Sequence, residues 1–332
     1  MARRAFLLGG TGQTGRALVP RLFERGWDVV VASRGERPVP EGVEHVEVDR
    51  ADSGALRAAL GEGADVVVDF VAFEPEHADQ LLALQDLVRS VVVISSAAVY
   101  FETAKGDDSQ FPRLPVPISE RSPIASPGPE SYATKKAAIE QKLLAQDELP
   151  ATFVRAGAIY GPWSSAREWY FVKRALDRRR VVVLSYRGES RFHPVSVHNL
   201  AELIRLAAER PGRRVLNAGD PNAPTVLEIS RAIAGVLGNE WAEVLVGDQL
   251  GVGETPWSVP HPFVLDMTEA ELELRYRPVT TYERAVPETV EWLVEATRDR
   301  PWREALPRAA ELMKDDFDYQ AEDAFIHKLT AG

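Results

Sequence analysis

The sequence has no cysteine among its 332 residues. That absence excludes a disulfide framework, a thiolate metal site and a cysteine nucleophile, and it suits a reducing cytoplasm without requiring one. No apolar run approaches the roughly 18 residues of a membrane-spanning helix. The start, Met1-Ala2-Arg3-Arg4-Ala5-Phe6-Leu7-Leu8, imitates a leader peptide, but its apolar run breaks at Gly9-Gly10-Thr11-Gly12. A soluble, cytoplasmic protein with no membrane partner is expected. An excess of positive charge is also missing. The chain carries 39 Lys and Arg against 50 Asp and Glu, a formal net charge of −11, which argues against general nucleic-acid binding. The balance is uneven: residues 1–165 hold 17 basic against 23 acidic side chains, residues 166–214 hold 12 against 5, and residues 215–332 hold 10 against 22. What is plentiful is apolar material, 45% of the chain, enough for a sizeable core and incompatible with disorder.

The first half alternates short apolar runs with helical patterns. Strands are expected at Ala5–Leu8, Asp28–Ala32, Val43–Val48, Asp65–Ala72 and Val91–Ser95, with helices over Thr14–Glu24, Ser53–Leu60 and Glu76–Leu87. Continuous Val and Ile runs separated by helices indicate a parallel sheet buried on both faces, wound right-handedly into a doubly wound α/β fold. The stretch Phe101–Glu130, with six prolines from Pro112 to Pro129, reads as a long functional or mobile loop. A helix over Ser131–Gln146 and a strand over Ala151–Val154 follow. Beyond residue 163 the pattern is less regular, with helices expected over Arg167–Arg180, Val226–Leu237 and Tyr282–Glu295 and a short strand at Val215–Asn217. The acidic tail from Arg303 is expected to be helical and packed on the outside. The expected division is a dinucleotide-binding Rossmann domain over 1–163 and a smaller, mainly substrate-binding lobe over 164–332. Segments near 190–220 return to the first domain's core.

Gly9-Gly10-Thr11-Gly12-Gln13-Thr14-Gly15 lies between the first strand and the first helix. Glycines at 9, 12 and 15 allow a tight turn, close approach of backbone to a pyrophosphate, and close helix–sheet packing. The helix start then offers unpaired N–H groups and a positive dipole end to phosphates. The second strand ends in Ser33-Arg34 rather than in the carboxylate that receives a ribose 2′-hydroxyl in NAD sites. A hydroxyl and a guanidinium suit a 2′-phosphate, and Arg37 can add to it. NADP is therefore the expected cofactor, with NAD kept open by Glu36. Asp49, after the third strand, is placed either to meet the adenine edge or to cap the next segment.

Ser95-Ser96-Ala97-Ala98-Val99-Tyr100 closes the fifth strand, and Tyr132 and Lys136 stand four apart at the start of a helix, hence on one face. A free tyrosine titrates near ~10 and is a poor base at neutral pH. A nearby ammonium favours the phenolate, and a serine hydroxyl beside it can hold a substrate oxygen.

With these motifs in order, the chain resembles the extended short-chain dehydrogenase/reductase family, of the NAD-dependent epimerase/dehydratase type. The pieces are Gly9–Gly15, Ser95–Tyr100, Tyr132–Lys136, Arg155-Ala156-Gly157-Ala158-Ile159-Tyr160-Gly161-Pro162, Val195–Ala201 and Val215–Gly219. The resemblance implies Tyr132 as acid/base, Lys136 as its activator and a ribose ligand, and Ser96, rather than Ser95, as donor to the substrate oxygen. It also implies a cofactor site made of Gly9, Thr11, Gly12, Gln13, Thr14, Gly15, Ser33, Arg34, Asp49, Arg50, Val71, Ala72, Tyr132, Lys136, Ala156, Ala158 and Ile159. Four positions depart from the family's usual pattern. Phe101 stands where glycine often follows Val-Tyr, alanines stand at 156 and 158 where proline and asparagine are common, and Val197-His198-Asn199 replaces Val-x-Asp. With Ala158 in place of asparagine, the chain lacks a donor that nucleotide-sugar members use on their ligand. The Ser33-Arg34 ending and Asp69–Phe73 are more similar to a divergent subgroup, that of the chloroplast stem-loop-binding proteins.

The expected function is NAD(P)-dependent oxidoreduction, or epimerase/dehydratase-like chemistry, on a hydroxyl or carbonyl carbon of a small substrate, sugar-like or anionic. The alternative is a non-catalytic NADP-binding protein, either RNA-binding or redox-sensing. The basic segment 166–214 is expected to frame the substrate side of the cleft. Arg178–Arg180 either complement a helix C-terminus or form an anion-facing rim. Trp163, Trp169, Tyr170 and Phe171 either stack on a substrate or anchor the second lobe. No metal site is expected, and His193 and His198 are read as interface or pocket residues. A homodimer through the Tyr132 helix, using Ala137, Ala138, Ile139 and Leu143, is compatible with the pattern.

Overall fold

Seven short strands pair side by side, all parallel, in the order β10-β6-β5-β4-β1-β2-β3. They are β1 (Arg3–Leu8), β2 (Trp27–Ser33), β3 (Glu44–Glu47), β4 (Val66–Asp69), β5 (Val91–Ser96), β6 (Ala151–Ala156) and β10 (Arg214–Ala218). The computed structural model describes residues 2–101, 113–163, 167–247, 251–313, 316–317 and 319–331. Of the proline-rich loop expected after Tyr100, residues 102–112 therefore lie outside the described part. Strand order reverses between β1 and β4, where Leu8 faces Ala32 on one side and Asp69 on the other. In an open α/β sheet the ligand crevice lies beyond the strand ends at such a reversal.

The valine runs are explained by burial on both faces. Leu7, Val29, Val31, Val66 and Val68 point into one apolar cluster, while Phe6, Leu8, Val30, Val67 and Val93 point into the other. Helices α1 (Gln13–Phe23) and α6 (Val197–Glu209) cover the first face. Helices α2 (Ser53–Leu60), α3 (Glu76–Leu82) and α4 (Tyr132–Leu144) cover the second. Helix α3 ends earlier than its pattern predicts, because the chain turns to bring Ala64 and Val88 into a bridge ahead of β5. Ala137, Ala138, Ile139 and Leu143 are all buried within the chain, so the apolar positions proposed for a dimer contact are already covered by its own core.

The second lobe has its own core. It is built from β7 (Ala158–Tyr160) with β9 (Pro194–Ser196), β8 (Val181–Leu184) with β11 (Ala242–Leu245), and the helices α5 (Trp169–Leu176), α7 (Val226–Val236) and α9 (Tyr282–Ala296), whereas α8 (Thr268–Leu274) buries Ala270 and Leu274 in the core on the first face of the large sheet. Trp169, Tyr170 and Phe171 are buried in it beside Trp257 and Tyr282, so these three aromatics anchor the lobe. The tail forms α10 (Trp302–Ala305), α11 (Pro307–Leu312) and α12 (Tyr319–Ala331). It is not merely an outer layer, since Leu306, Ala309 and Met313 are buried in the same core.

The tail also corrects the reading of the basic middle. Glu322 lies 3.8 Å from Arg174 and 3.6 Å from Arg179, and Asp323 lies 2.5 Å from Arg179. Arg205 is held by Glu202 and Glu209, Arg213 by Asp147 and Arg214 by Glu273. Among the described residues, Arg167 is the one cation of segment 166–214 that lines the main cleft. The segment's positive charge is therefore largely spent inside the fold, and the rim expected at Arg178–Arg180 is not part of that cleft. Among the described residues no helix is long and apolar enough to cross a membrane.

Candidate active site

A cleft of about 840 Å³ opens beyond the C-terminal ends of β1, β2, β4, β5 and β6. It is lined by Gly9, Thr11–Gly15, Ser33, Arg34, Asp49, Arg50, Val71, Ser96, Tyr132, Lys136, Ala156, Ala158 and Ile159. Every residue that the sequence resemblance implied for the cofactor site and the catalytic trio lies on its wall except Ala72, which is buried and reaches the site only through its carbonyl oxygen.

The glycine turn forms the floor. Gly9 has φ +82°, a backbone shape that disfavours a side chain, and a Cβ at Gly15 would lie 2.2 Å from the Gly10 carbonyl oxygen. Those two glycines answer to the fold. Gly12 does not: its φ is −76°, and a Cβ there would meet nothing nearer than 3.7 Å. A side chain at 12 would instead occupy the cleft at the start of α1, whose first turn has neither a side-chain cap nor an acidic residue. An uncapped helix N-terminus kept clear by a glycine fits a diphosphate.

At the far end of the cleft, Ser33 Oγ lies 2.9 Å from His45 Nε2, and Arg34 pairs with Glu36 at 2.9 Å in the open. Asp49 caps its own turn, accepting from Ala51 N–H at 2.9 Å, while also lining the cleft. Arg50 is held 3.0 Å from fully buried Asp69 and also reaches Gln80. Trp163, one of the aromatics expected either to stack on a substrate or to anchor the second lobe, lies on the wall, as do Arg16 and Arg308, which no motif announced. Trp163 takes a left-handed backbone shape with φ 65°, and the Arg16 guanidinium sits 4.0 Å above its ring.

At the near end, α4 opens on a capping box. Ser131 Oγ accepts from Thr134 N–H at 3.2 Å, and Thr134 Oγ1 accepts from Ser131 N–H at 2.8 Å. This fixes Tyr132 as the first helical residue and places Lys136 one turn further in. Tyr132 is 49% exposed, yet its phenol end is desolvated. Burial pushes the phenol's pKa above its ordinary value, while the Ser96 hydrogen bond and the Arg308 charge act downward. Lys136 is buried, and its ammonium donates to the carbonyl oxygens of Ala72 at 2.6 Å and Ile94 at 2.8 Å. Burial brings its pKa down to about 8, against the raising effect of Asp69 and Glu140. One of its three N–H donors is left for the cleft.

The two serines of β5 divide. Ser95 Oγ donates to Glu140 at 2.5 Å, and Glu140 is paired in turn with buried Arg155 at 2.6 Å. Arg155 also donates to the Tyr100 hydroxyl at 3.0 Å, which donates to Asn217 at 2.6 Å. Ser95 thus belongs to a buried polar chain behind the site, whereas Ser96 lines the cleft together with Tyr132. His193 is buried too. Its Nδ1 accepts from Leu265 N–H at 2.9 Å and its Nε2 donates to the Asp220 carbonyl at 2.8 Å. Burial holds it neutral, with a pKa near 4. His198 pairs with Glu288 at 2.7 Å on the surface. Neither histidine lines the cleft, and among the described residues no group of three or more metal-ligating side chains is gathered.

A doubly wound parallel sheet with an uncapped glycine turn after its first strand defines a Rossmann-type dinucleotide-binding protein. The chain belongs to the NAD dependent epimerase/dehydratase family, whose profile matches residues 5–219, and is an NAD(P)-dependent enzyme of the extended short-chain dehydrogenase/reductase type. It is 33% identical over 163 residues to the 2'-dehydrokanamycin reductase of Streptomyces kanamyceticus, a match covering 47% of this chain and 43% of that protein. The chain thus aligns with less than half of that relative's length. It is 26% identical over 315 residues to the dTDP-6-deoxy-L-talose 4-dehydrogenase (NAD(P)(+)) of Kitasatospora kifunensis, covering 89% of this chain and 96% of that one. Among solved structures, the Thermus thermophilus UDP-glucose 4-epimerase in complex with NAD superposes with a TM-score of 0.66. That match has 23% identity and covers 87% of this chain and 98% of the other, a likeness of fold.

Proposed function

We propose that the protein is an NADP(H)-dependent enzyme that oxidises or reduces a hydroxyl- or carbonyl-bearing carbon of a small, sugar-like substrate, with Tyr132 as acid/base. The observation that carries this reading is the convergence of Ser96, Tyr132 and Lys136 in one cleft with the open N-terminus of α1. When bound, the nicotinamide supplies or accepts the hydride. Tyr132 gives a proton to the carbonyl oxygen in reduction and takes it from the hydroxyl in oxidation. Ser96 orients that oxygen through its hydroxyl, and Lys136 offers its remaining N–H and its positive charge beside the phenol. Gln13, Thr14 and Gly15 would hold the diphosphate with their main-chain N–H groups.

The preference for NADP rests on Ser33 where an NAD site carries a carboxylate, with Arg34 and Arg37 on the same wall. A sugar-like substrate is supported by the two curated relatives, a reductase and a dehydrogenase by name. Ala158 offers no side-chain donor on the cleft wall, so the substrate is one held without that contact. The test is NADPH oxidation with a panel of keto sugars, together with NADP+ reduction by the corresponding alcohols. Tyr132→Phe should lose about 10²–10⁴-fold in turnover while still binding NADPH. A variant as active as the parent overturns the assignment.

A further inference from the structure

The arginines on the cleft wall can be sorted by what already holds them. Arg34 pairs with Glu36 and Arg50 with Asp69, each within 3.0 Å. Arg16 donates to Thr11 O at 3.1 Å and lies over Trp163. Arg167 donates to Pro256 O and lies 5.0 Å from the Phe192 ring centroid. Arg37 and Arg308 form no ion pair or hydrogen bond among the described residues, and they sit apart. Arg37 is beside Gly12, where its guanidinium would lie 4.0 Å from an added Cβ. Arg308 shares the wall with Tyr132 and Ser96 and acts on the Tyr132 phenol as a positive charge.

Arg308 is carried by α11, beyond the residues 5–219 matched by the family profile. The helix is short, but Leu306, Ala309 and Met313 are buried in the core of the second lobe, so its position is fixed from beneath. We propose that Arg308 is a positioning residue for the reaction read above: the docked tail sets its guanidinium where it supplies positive charge to the Tyr132 phenol oxygen. Lys136 is fixed to the strand ends by two backbone carbonyls, and Arg308 adds a second positive charge to the one it brings.

Other polar and titratable groups are carried by the elements around the phenol. Ser96 comes from the end of β5 and Lys136 from α4 itself. Lys135 is neutralised by Glu74 at 2.9 Å. His77 lines the cleft with its pKa lowered by burial. Glu304 and Glu311, near Arg308 along the tail, form no ion pair with it among the described residues. Arg308 is therefore the group whose removal subtracts a full, unpaired charge. Because it is exposed, solvent and salt weaken its effect, and the expected change is about half to one pH unit.

The experiment is a tyrosinate absorbance titration of the full-length protein with NADP+ bound. Tyr132 is isolated by subtracting the Tyr132→Phe signal, measured also in the Arg308→Gln background. The Tyr132 midpoint should rise by about half to one unit in Arg308→Gln, and rise in the parent as KCl is added. NADP+ affinity should be unchanged in the variant. A midpoint unmoved in Arg308→Gln overturns the proposal, as does a difference between parent and variant that high KCl leaves undiminished. If NADP+ fails to bind the parent while the midpoint still responds to Arg308, the functional reading falls and the action of Arg308 on the phenol stands.

Discussion

Lys136 donates to the main-chain oxygen of Ala72 at 2.6 Å, tying the helix that carries Tyr132 to the segment that follows β4. The same ammonium reaches Ile94 on β5, so one charged group pins three elements at the strand ends. Lys136→Met should leave both carbonyls without a partner, at about 1–3 kcal/mol each. Turnover should fall at least ~10²-fold. Urea denaturation and steady-state kinetics check the two effects separately.

Gly12 and Gly15 look alike in sequence but serve different ends. Gly12→Val should fold with a melting temperature close to the parent's and lose NADPH binding, since its side chain enters the cleft. Gly15→Val should be poorly folded, because the added carbon lies 2.2 Å from a main-chain oxygen. Thermal melts beside fluorescence titrations discriminate the two. Equal loss of stability in both would remove the case that Gly12 is kept free for a ligand.

Cofactor choice should follow the wall at Ser33, Arg34 and Arg37. Replacing either arginine by Ser should weaken NADPH by about tenfold or more and leave NADH nearly unchanged, since only the former carries a 2′-phosphate. Ser33→Asp should reverse the preference. The ratio of the two dissociation constants is the readout.

Stability should respond to pH through Glu168, which is buried beside Tyr282 and Asp220. Burial raises its pKa from the ordinary value of 4.5 to about 7. Between those values the folded chain holds a proton that the unfolded chain has lost, so stability falls as pH rises through the window. Glu168→Gln has no proton to lose. The parent should therefore become less stable relative to the variant, by on the order of 3 kcal/mol, between about pH 4.5 and 8. Denaturation curves of both proteins at the two limits measure it.

The sheet and the glycine turn were legible because each is a local pattern: valine runs buried on both faces, and glycines between a strand and a helix. That Ser96, Tyr132 and Lys136 share one cleft wall was readable from the strand end and the helix start that carry them. The small strand pairs of the second lobe were not, because their partners are remote: Ala158 faces Pro194, and Val181 faces Ala242. The charge of residues 166–214 misled for a related reason. Its neutralising partners include Glu322 and Asp323, more than a hundred residues away, and no spacing rule connects them. Arg308 reads in sequence as one more surface charge on an acidic tail. Only the burial of Leu306, Ala309 and Met313 sets it at the cleft.

The most direct test of the account is an equilibrium titration of the purified protein with NADPH, followed by nicotinamide fluorescence. Saturable binding of one NADPH per chain is expected, at least tenfold tighter than NADH and lost in Gly12→Val. Absence of saturable binding by either nucleotide would contradict it.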